Sequence, residues 1–225
     1  MNVSLVSLVS VTAPAIEGVT DPESLIVYCA RVSSPNQLNP EKAKLLRYLI
    51  QHKHWSPFEM VDLTLEVRTS RAIAAQILRH RSFSVQEFSQ RYSPLSGELF
   101  EPVEIRMKNP SGNRQSSQEV DDEHLGRTLD TEVDTALVAC ETAYHNLLNA
   151  GAAPESARMV LPLCTKTRMY MKGSVRSWIH YFEARCTEHA QKEHRLVAEA
   201  AKDIFCDQFP VTAEALGWVR KEVRS

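Results

Sequence analysis

The segment from Arg79 to Tyr92 constrains the fold of this chain more than any other. It combines three arginines, one histidine, one glutamate and three serines, and it directly follows an apolar run that begins at Ile73. Burying so many polar groups costs free energy unless each of them is paired. The sequence therefore predicts an irregular turn at the end of a rigid helix, where guanidinium and hydroxyl groups can hold an anionic, phosphate-bearing ligand.

Helical periodicity supports this placement. At about 100° per residue, one helical face is apolar and contains Ile73, Ala74, Ile77 and Leu78, whereas the opposite face carries Gln76, Arg79 and His80. Arg81 would return to the apolar face, so the helix, capped by Ser70, should end near there. Two alternatives remain. The segment could be a solvated helix end whose basic residues complement the helix dipole, or a nucleic-acid-binding loop, which the net charge of -2 disfavours.

Composition indicates a soluble globular protein. Of the 225 residues, 43% are hydrophobic and 24% are charged, and the length suits one large domain or two small ones. The sequence has no internal repeat, low-complexity tract or clear linker, which favours one domain spanning residues 1–225. The five cysteines are widely spaced, which favours reduced thiols and a cytoplasmic location over a disulfide framework. No apolar stretch approaches the ~20 residues of a membrane span.

The order of predicted elements favours an α+β fold with a mixed or antiparallel sheet flanked by long helices. Strands are expected at Val3–Thr12, as a buried strand, and at Val61–Val67, Pro102–Met107 and Thr165–Val175. Helices are expected from Pro22, at Pro40–His52, Ser70–Arg79, Leu129–Ala150 and Pro154–Val160, and in one long run from Ser174 or Arg176 to Phe205. The polar segment Asn109–His124 is expected to be a mobile loop.

The last predicted helix carries two polar residues on an apolar stripe. The stripe comprises Trp178, Phe182, Arg185, His189, Leu196 and Ala200. An arginine in such a position either reaches solvent, pairs internally with a glutamate, or meets an anion or an acceptor-rich ring. His180, His189 and His194 lie near Glu183 and Glu193, but only His189 and Glu193 share a face, so no metal site is predicted.

Four blocks of sequence, in order along the chain, resemble one known family. They are the run Arg79-His80-Arg81, a seven-residue gap and Ser89; the block Trp55-Ser56-Pro57-Phe58-Glu59; the block Ala157 to Pro162; and Arg176-Ser177 through Arg185 to His189-Ala190-Gln191. Together they resemble the signature of flavin-dependent thymidylate synthases, from about Cys29 to Glu193, apart from the Asn109–His124 segment. Four matches in the family's order are far more specific than any one of them.

The resemblance implies a reaction that composition alone could not indicate. Enzymes of this family methylate 2'-deoxyuridine 5'-monophosphate (dUMP) to thymidylate, with 5,10-methylenetetrahydrofolate as one-carbon donor. Reduced FAD supplies the hydride and NADPH reduces the flavin. They are cytoplasmic homotetramers with active sites shared between subunits, so the expected partners are small molecules and further copies of the chain, not nucleic acid or membrane.

The same resemblance assigns roles to individual residues. It places FAD against Ser56, Arg79, His80, Arg81, Glu87, Ser174, Arg176, His180 and His189. It places dUMP against Gln76, Arg79, Glu87, Phe88, Ser89, Gln90, Arg91, Arg158 and Arg185, with Arg158 reaching the nucleotide from another subunit. Arg185 would favour ionisation of the uracil ring at N3, and Ser89 would bind rather than act as a nucleophile.

The chain departs from the commoner family pattern at four positions. Gln86, Ser174 and His180 stand where asparagines are frequent, and Met60 stands where a histidine is frequent, which puts some flavin contacts in doubt. Two other functions remain open on the residues alone. A non-catalytic nucleotide- or RNA-binding module has no reason to keep Arg185 on an apolar stripe. A helical assembly protein, whose long last helix mediates oligomerisation, predicts that Arg79→Ala leaves every ligand-binding signal unchanged.

Overall fold

The structure, a computed structural model, describes residues 5–110 and 116–218. Its strands are β1 (Val6–Val11), β2 (Asp62–Ser70), β3 (Ser84–Glu87), β4 (Met107–Lys108), β5 (Ser117–Gln118) and β6 (Lys166–Ser174). Its helices are α1 (Pro22–Ala30), α2 (Ala43–Gln51), α3 (Arg71–Ile77), α4 (Glu123–Asn149), α5 (Pro154–Ala157), α6 (Val175–Arg185), α7 (Lys192–Gln208) and α8 (Pro210–Ala215). Short 3-10 helices lie at Ser56–Glu59 and Arg158–Val160. This mixture confirms the α+β class.

A four-stranded sheet has the order β1-β2-β6-β3, and β1 pairs antiparallel to β2 with Val6 opposite Val67. The alternation along β2 is as predicted, because Leu63, Leu65 and Val67 are all buried. The prediction of a buried first strand was wrong. As an edge strand β1 has one neighbour only, and of its residues only Val6 is buried.

The chain divides into two compact units. The first contains Met1–Val67, His80–Gln86 and Tyr170–Ser225, and the second contains Arg68–Arg79 and Glu87–Met169. The core of the first unit is aromatic: Trp178 is fully buried, its indole Nε1 donates to the backbone oxygen of Leu63 at 3.0 Å, and its ring stacks on Phe182. The assignment of residues 1–225 to a single domain stays a prediction.

Two carboxylates at the start of α1 stabilise the first unit in different ways. Asp21 caps α1 as predicted, because its side chain accepts a hydrogen bond from the amide of Ser24 at 3.0 Å. One residue into α1, the carboxylate of Glu23 is 2% exposed and accepts from the amides of Val211 at 3.3 Å and Thr212 at 2.6 Å, at the start of α8. Lys42 Nζ lies 3.9 Å from the same carboxylate. Glu23 therefore ties α8 to α1.

The second unit has its own core of Leu99, Tyr144 and Ala157. The Tyr144 hydroxyl accepts from the amide of Leu95 at 2.9 Å, which fixes the loop before Leu99 against α4. Helix α4 starts at Glu123 rather than at Leu129, because Asp122 caps its amide groups. It ends just before Gly151, which has a φ of +87° as a helix-terminating glycine requires.

Three further predictions need correction. Helix α2 begins at Ala43 instead of Pro40: residues 39–42 have no regular structure, and the Glu41 side chain accepts from the amide of Lys44 in the first turn of the helix. Residues 102–106 do not form the predicted strand; only Met107–Lys108 pairs, with Ser117–Gln118. The expected mobile loop falls partly on residues 111–115, which lie outside the described residues, and its mobility stays a prediction.

The predicted long C-terminal helix is broken into two. Helix α6 ends at Arg185 and α7 starts at Lys192, with a turn between them in which the Ala190 amide donates to the Thr187 oxygen at 3.0 Å. The segment holds no proline or glycine, so the sequence carries no strong break signal. The prediction of one continuous apolar stripe was therefore wrong beyond Arg185, since His189 lies in the turn. No helix among the described residues combines the length and apolarity that crossing a membrane demands.

Candidate functional site

A hydrogen bond joins the basic turn to the end of α6. Nε of Arg185, the last residue of α6, donates to Nε2 of His80 at 2.9 Å, across 105 residues of chain. Burial, and then the positive charge of Arg185, lowers the pKa of His80, which keeps the imidazole neutral and able to accept. Within residues 5–110 and 116–218, Arg185 forms no ion pair with a carboxylate, so the predicted alternative of a glutamate partner was wrong.

Two fully buried polar residues lie behind this pair. The Tyr181 hydroxyl is 3.1 Å from Nε2 of His194, and the Tyr181 ring meets the His80 ring edge to face at a centroid distance of 5.0 Å. Burial, followed by the charge of Arg185 and by His80, lowers the pKa of His194 to about 4. Tyr181 was not predicted as a site residue, although its position one helical turn before Arg185 marks it as a neighbour of that guanidinium.

The basic turn presents two free guanidinium groups. Arg79 and Arg81 are exposed, and among the described residues neither has an ion-pair partner. Beyond them the chain enters strand β3, so the prediction of an irregular segment was wrong for Ser84–Glu87, which belongs to the sheet. Leu78 is exposed although it was predicted on the apolar face, because α3 already ends at Ile77.

The turn is closely packed at Phe83. Its ring meets Trp178 edge to face at 4.8 Å, and the Ser177 hydroxyl donates to the oxygen of Ser82 at 3.4 Å. A Cβ added to Gly173 would lie 2.5 Å from two atoms of the Phe83 ring. Gly173 is therefore needed here so that the ring can lie directly against β6.

In the second unit, Glu87 is held by internal hydrogen bonds. Its Oε1 accepts from Arg71 at 2.9 Å and from Thr167 at 2.8 Å. Within the described part of the chain, its other oxygen, Oε2, has no hydrogen bond. The next residue, Phe88, is half-buried and its amide donates to the Arg168 oxygen at 2.9 Å. The sequence analysis did not identify Arg71 or Thr167 as partners of Glu87.

The residues that follow were predicted to hold a nucleotide. Ser89 is half-buried, and its backbone oxygen accepts from the Tyr92 amide at 3.2 Å. The Gln90 side chain is buried, and its Nε2 lacks a hydrogen-bond partner among the described residues. Nε of Arg91 lies 3.2 Å from Glu155, in a largely exposed ion pair. A buried amide nitrogen without an acceptor is costly unless a ligand or water supplies one.

Four of the predicted flavin-binding residues lie in the first unit, on α6, at its N-cap, or on the 3-10 helix at Ser56–Glu59, which packs against α6. Ser56 starts the 3-10 helix and is exposed. Arg176 forms an ion pair with Glu59, and Ser174 caps α6 by accepting from the Ser177 amide at 3.2 Å. His180 is exposed, and its ring lies edge to face against the Trp55 ring, with 5.2 Å between the ring centroids.

The remaining predicted residues, Gln76, Arg158 and His189, lie on three other elements or turns of the chain. Gln76 is half-buried on α3, and Arg158 is half-buried at the start of a 3-10 helix without an ion-pair partner in the described part of the chain. His189 is exposed in the turn after α6, so it does not share a helical face with Glu193. Which ligand each of these residues contacts stays a prediction. In the described ranges, no three His, Cys, Asp or Glu side chains cluster as metal ligands would.

Comparison with known proteins identifies the family. A family model described as "thymidylate synthase complementing protein" matches residues 15–211. The flavin-dependent thymidylate synthase of Synechocystis sp. is 51% identical over 216 residues, which cover 95% of this chain and 99% of that protein. A probable flavin-dependent thymidylate synthase of Paramecium bursaria Chlorella virus 1 is 48% identical, over 94% of this chain and 98% of its own.

A solved structure shares the fold. The UMP/dUMP methylase PolB of Streptomyces cacaoi, bound with 5-Br dUMP, superposes with a TM-score of 0.78 at 29% identity, covering 94% of each chain. The family resemblance inferred from the four sequence blocks is thus confirmed by a family model over residues 15–211 and by relatives that match most of the chain. The chain belongs to the flavin-dependent thymidylate synthase family of enzymes.

Proposed function

We propose that this enzyme methylates dUMP to thymidylate, using FAD as its flavin, 5,10-methylenetetrahydrofolate as one-carbon donor and NADPH as reductant. Membership of the flavin-dependent thymidylate synthases supports the flavin and the product. The S. cacaoi protein, described as a UMP/dUMP methylase, supports a uridine nucleotide as the substrate. The identities of the flavin, the carbon donor and the reductant are inferred from the family resemblance of the motifs.

The observation that carries the proposal is the Arg185–His80 hydrogen bond. It connects two sequence blocks of the family signature that lie far apart in the chain, the arginine-histidine-arginine run and the arginine of α6. A guanidinium held in this way does not need to reorganise when negative charge develops on a ligand, and such preorganised stabilisation is often the largest catalytic contribution. We assign Arg185 to the uracil ring, where its charge favours ionisation at N3 and activates the pyrimidine.

The exposed basic residues fit a dinucleotide cofactor. Arg79 and Arg81 are exposed and free of internal ion pairs within the described residues, so each guanidinium is available to a phosphate oxygen. Ser56, Ser174, Arg176 and His180 lie on, or at the N-cap of, two elements that pack together, and His189 follows one of them. When bound, FAD supplies the hydride; the residues of this chain bind it and orient it.

The segment after β3 suits a nucleotide monophosphate. The free Oε2 of Glu87 and the unpartnered Nε2 of Gln90 provide one acceptor and one donor. We assign the phosphate to Ser89 and Arg91, whose exposed pair with Glu155 is weak enough to open for an anion. Gln76 and Phe88 would complete the contacts on one protomer. Arg158, which has no ion-pair partner in the described part of the chain, would reach the nucleotide of another protomer.

The thiols support a mechanism without a covalent protein nucleophile. Burial raises the pKa of Cys186 to about 11, and burial likewise raises the pKa of Cys29 and Cys164. A thiol must ionise to attack, so these cysteines are poor nucleophiles at neutral pH. We therefore assign activation of the pyrimidine to Arg185 and binding to Ser89.

We further propose a cytoplasmic homotetramer with shared active sites. Large apolar side chains are exposed on α4 and near Arg158, including Val138 at 63%, Met159 at 78% and Leu163 at 72%. Such exposed apolar surface is typical of regions that another subunit covers. Light scattering on the purified protein tests the assembly, since a monomeric mass would contradict it.

Arg185→Ala tests the proposed function. The variant should keep flavin absorbance but lose tritium release from C5-labelled dUMP. Arg47→Ala is the matched control, because Arg47 is exposed and, among the described residues, its ion-pair partner is the exposed Glu214. Release by Arg185→Ala at the wild-type rate would refute the role of Arg185. Wild-type protein that is colourless, or that forms no thymidylate with all four small molecules present, would refute the function itself.

A further inference from the structure

The environment of Arg185 contains two imidazoles, of which only one is paired with its guanidinium. His80 accepts from Arg185 Nε at 2.9 Å, whereas His194 Nε2 lies 3.1 Å from the Tyr181 hydroxyl. The two imidazole rings are 6.3 Å apart between centroids and nearly perpendicular. Because a guanidinium has five N–H donors, either unprotonated nitrogen is a suitable acceptor for it.

Electrostatics shows that Arg185 acts on both rings. Its charge lowers the pKa of His80 and the pKa of His194, after burial in each case. Both imidazoles therefore stay neutral at physiological pH and present a lone pair to a nearby cation. The guanidinium of Arg185 therefore has two neutral imidazoles as possible acceptors, and there must be a physical reason why it pairs with His80.

Tyr181 provides that reason. Its hydroxyl is fully buried, and burial raises its pKa, so the hydroxyl stays protonated and pairs with Nε2 of His194 at 3.1 Å. Tyr181 and Arg185 are one turn apart on α6, while His194 lies on α7, which packs against α6. The hydroxyl thus engages Nε2 of His194 from the same helix that carries the guanidinium.

We propose that Tyr181 and His194 are positioning residues, in which the Tyr181 hydroxyl occupies Nε2 of His194 so that Arg185 pairs with His80. This inference rests on the proposed function, because it explains how Arg185 is kept in place to act on the uracil ring. Neither residue needs to contact a ligand. Their effect reaches the reaction only through the position of Arg185.

Tyr181→Phe is the direct test, since it removes one oxygen atom and retains the ring that packs on His80. The freed Nε2 of His194 then competes for the guanidinium. We expect kcat per bound flavin for tritium release to fall about tenfold, as loss of one charge-assisted hydrogen bond predicts. The KM for dUMP and the flavin content should not change. Tyr48→Phe, which alters an exposed tyrosine, is the matched control.

The double variant Tyr181→Phe/His194→Phe separates positioning from stability. It removes the competing acceptor together with the donor, so kcat should recover to within about threefold of wild type. A purely structural role predicts normal kcat per bound flavin in Tyr181→Phe. Wild-type kcat in Tyr181→Phe, or a loss that the double variant does not reverse, would overturn the proposal.

A spectroscopic measurement on folded protein remains decisive if Tyr181→Phe does not fold. In ¹⁵N-histidine-labelled protein, Arg185→Ala should shift the Nε2 resonance of His80, which loses a hydrogen bond, several times more than that of His194, which loses only the effect of a nearby charge. Equal shifts at both residues would show that Arg185 already pairs with either ring, and would overturn the proposal. The two hypotheses are separable: wild-type tritium release by Arg185→Ala refutes the proposed role of Arg185, whereas unchanged kcat in Tyr181→Phe refutes only the inference.

Discussion

Replacing His80 by alanine should slow the reaction by removing the acceptor that fixes Arg185. The lost bond is a 2.9 Å hydrogen bond from a charged donor, and such bonds contribute about 1.5–3 kcal/mol. At about 1.4 kcal/mol per factor of ten, the full range corresponds to a decrease in kcat of roughly 10- to 150-fold. Because His80 and Arg185 are only half-buried, water can replace part of the bond, and we expect about tenfold.

The assay is single-turnover tritium release from C5-labelled dUMP, normalised to bound flavin, because His80 is also a proposed flavin contact. His80→Gln is the informative comparison, since its side-chain oxygen can stand near the position of Nε2 and should retain most of the rate. His52→Ala, at an exposed histidine, controls for nonspecific effects. The reasoning is refuted if His80→Ala keeps its rate within twofold of wild type, or if His80→Gln is as slow as His80→Ala.

Three other predictions concern nucleotide binding and stability. Ser89→Ala should retain measurable turnover, since Ser89 binds rather than attacks; complete loss with normal dUMP affinity would contradict this. The pKa of His194 in the folded protein, about 4, lies below the ordinary 6.5. Neutral His194 therefore contributes its full share of the free energy of unfolding above pH 6.5, and this contribution is lost as the pH falls towards 4. His194→Phe should flatten the pH dependence of urea unfolding in that window by up to about 3 kcal/mol, and an unchanged slope would contradict the assignment. Glu23→Ala should cost about 3–5 kcal/mol in denaturant unfolding, because it leaves two amides and Lys42 unpaired, whereas a cost below about 1 kcal/mol would show that Glu23 does not hold α8.

The parts of the fold that depend on neighbouring residues were predictable. Asp21 before Pro22 marked the start of α1, and the alternation of Leu63 and Leu65 marked β2, because capping and strand pleating act over a few residues. The break after Arg185 was not predictable. It is stabilised by packing of α7 against α6, β1 and α8, and such tertiary contacts override a continuous local helix preference.

The candidate site was predictable in its residue types and not in its pairings. The guanidinium groups of Arg79, Arg81 and Arg185 stood out because their spacing matched a known signature. The pairing of Arg185 with His80 was not predictable, because His80 lies 105 residues away in sequence and a neutral histidine carries no charge that would identify it as a partner. Likewise, Ser84–Glu87 was read as a loop, since its strand character comes from its neighbours in the sheet.

The close contact at Gly173 makes one position in β6 a constraint on the basic turn. A single added methyl group would overlap the Phe83 ring, which could move only by shifting the backbone between Arg81 and β3. In a mutant library selected for growth without thymidine, position 173 should therefore tolerate almost no substitution, although glycine offers no group for chemistry. Gly173 has no reactive side chain, and yet the placement of the basic turn next to Phe83 depends on it.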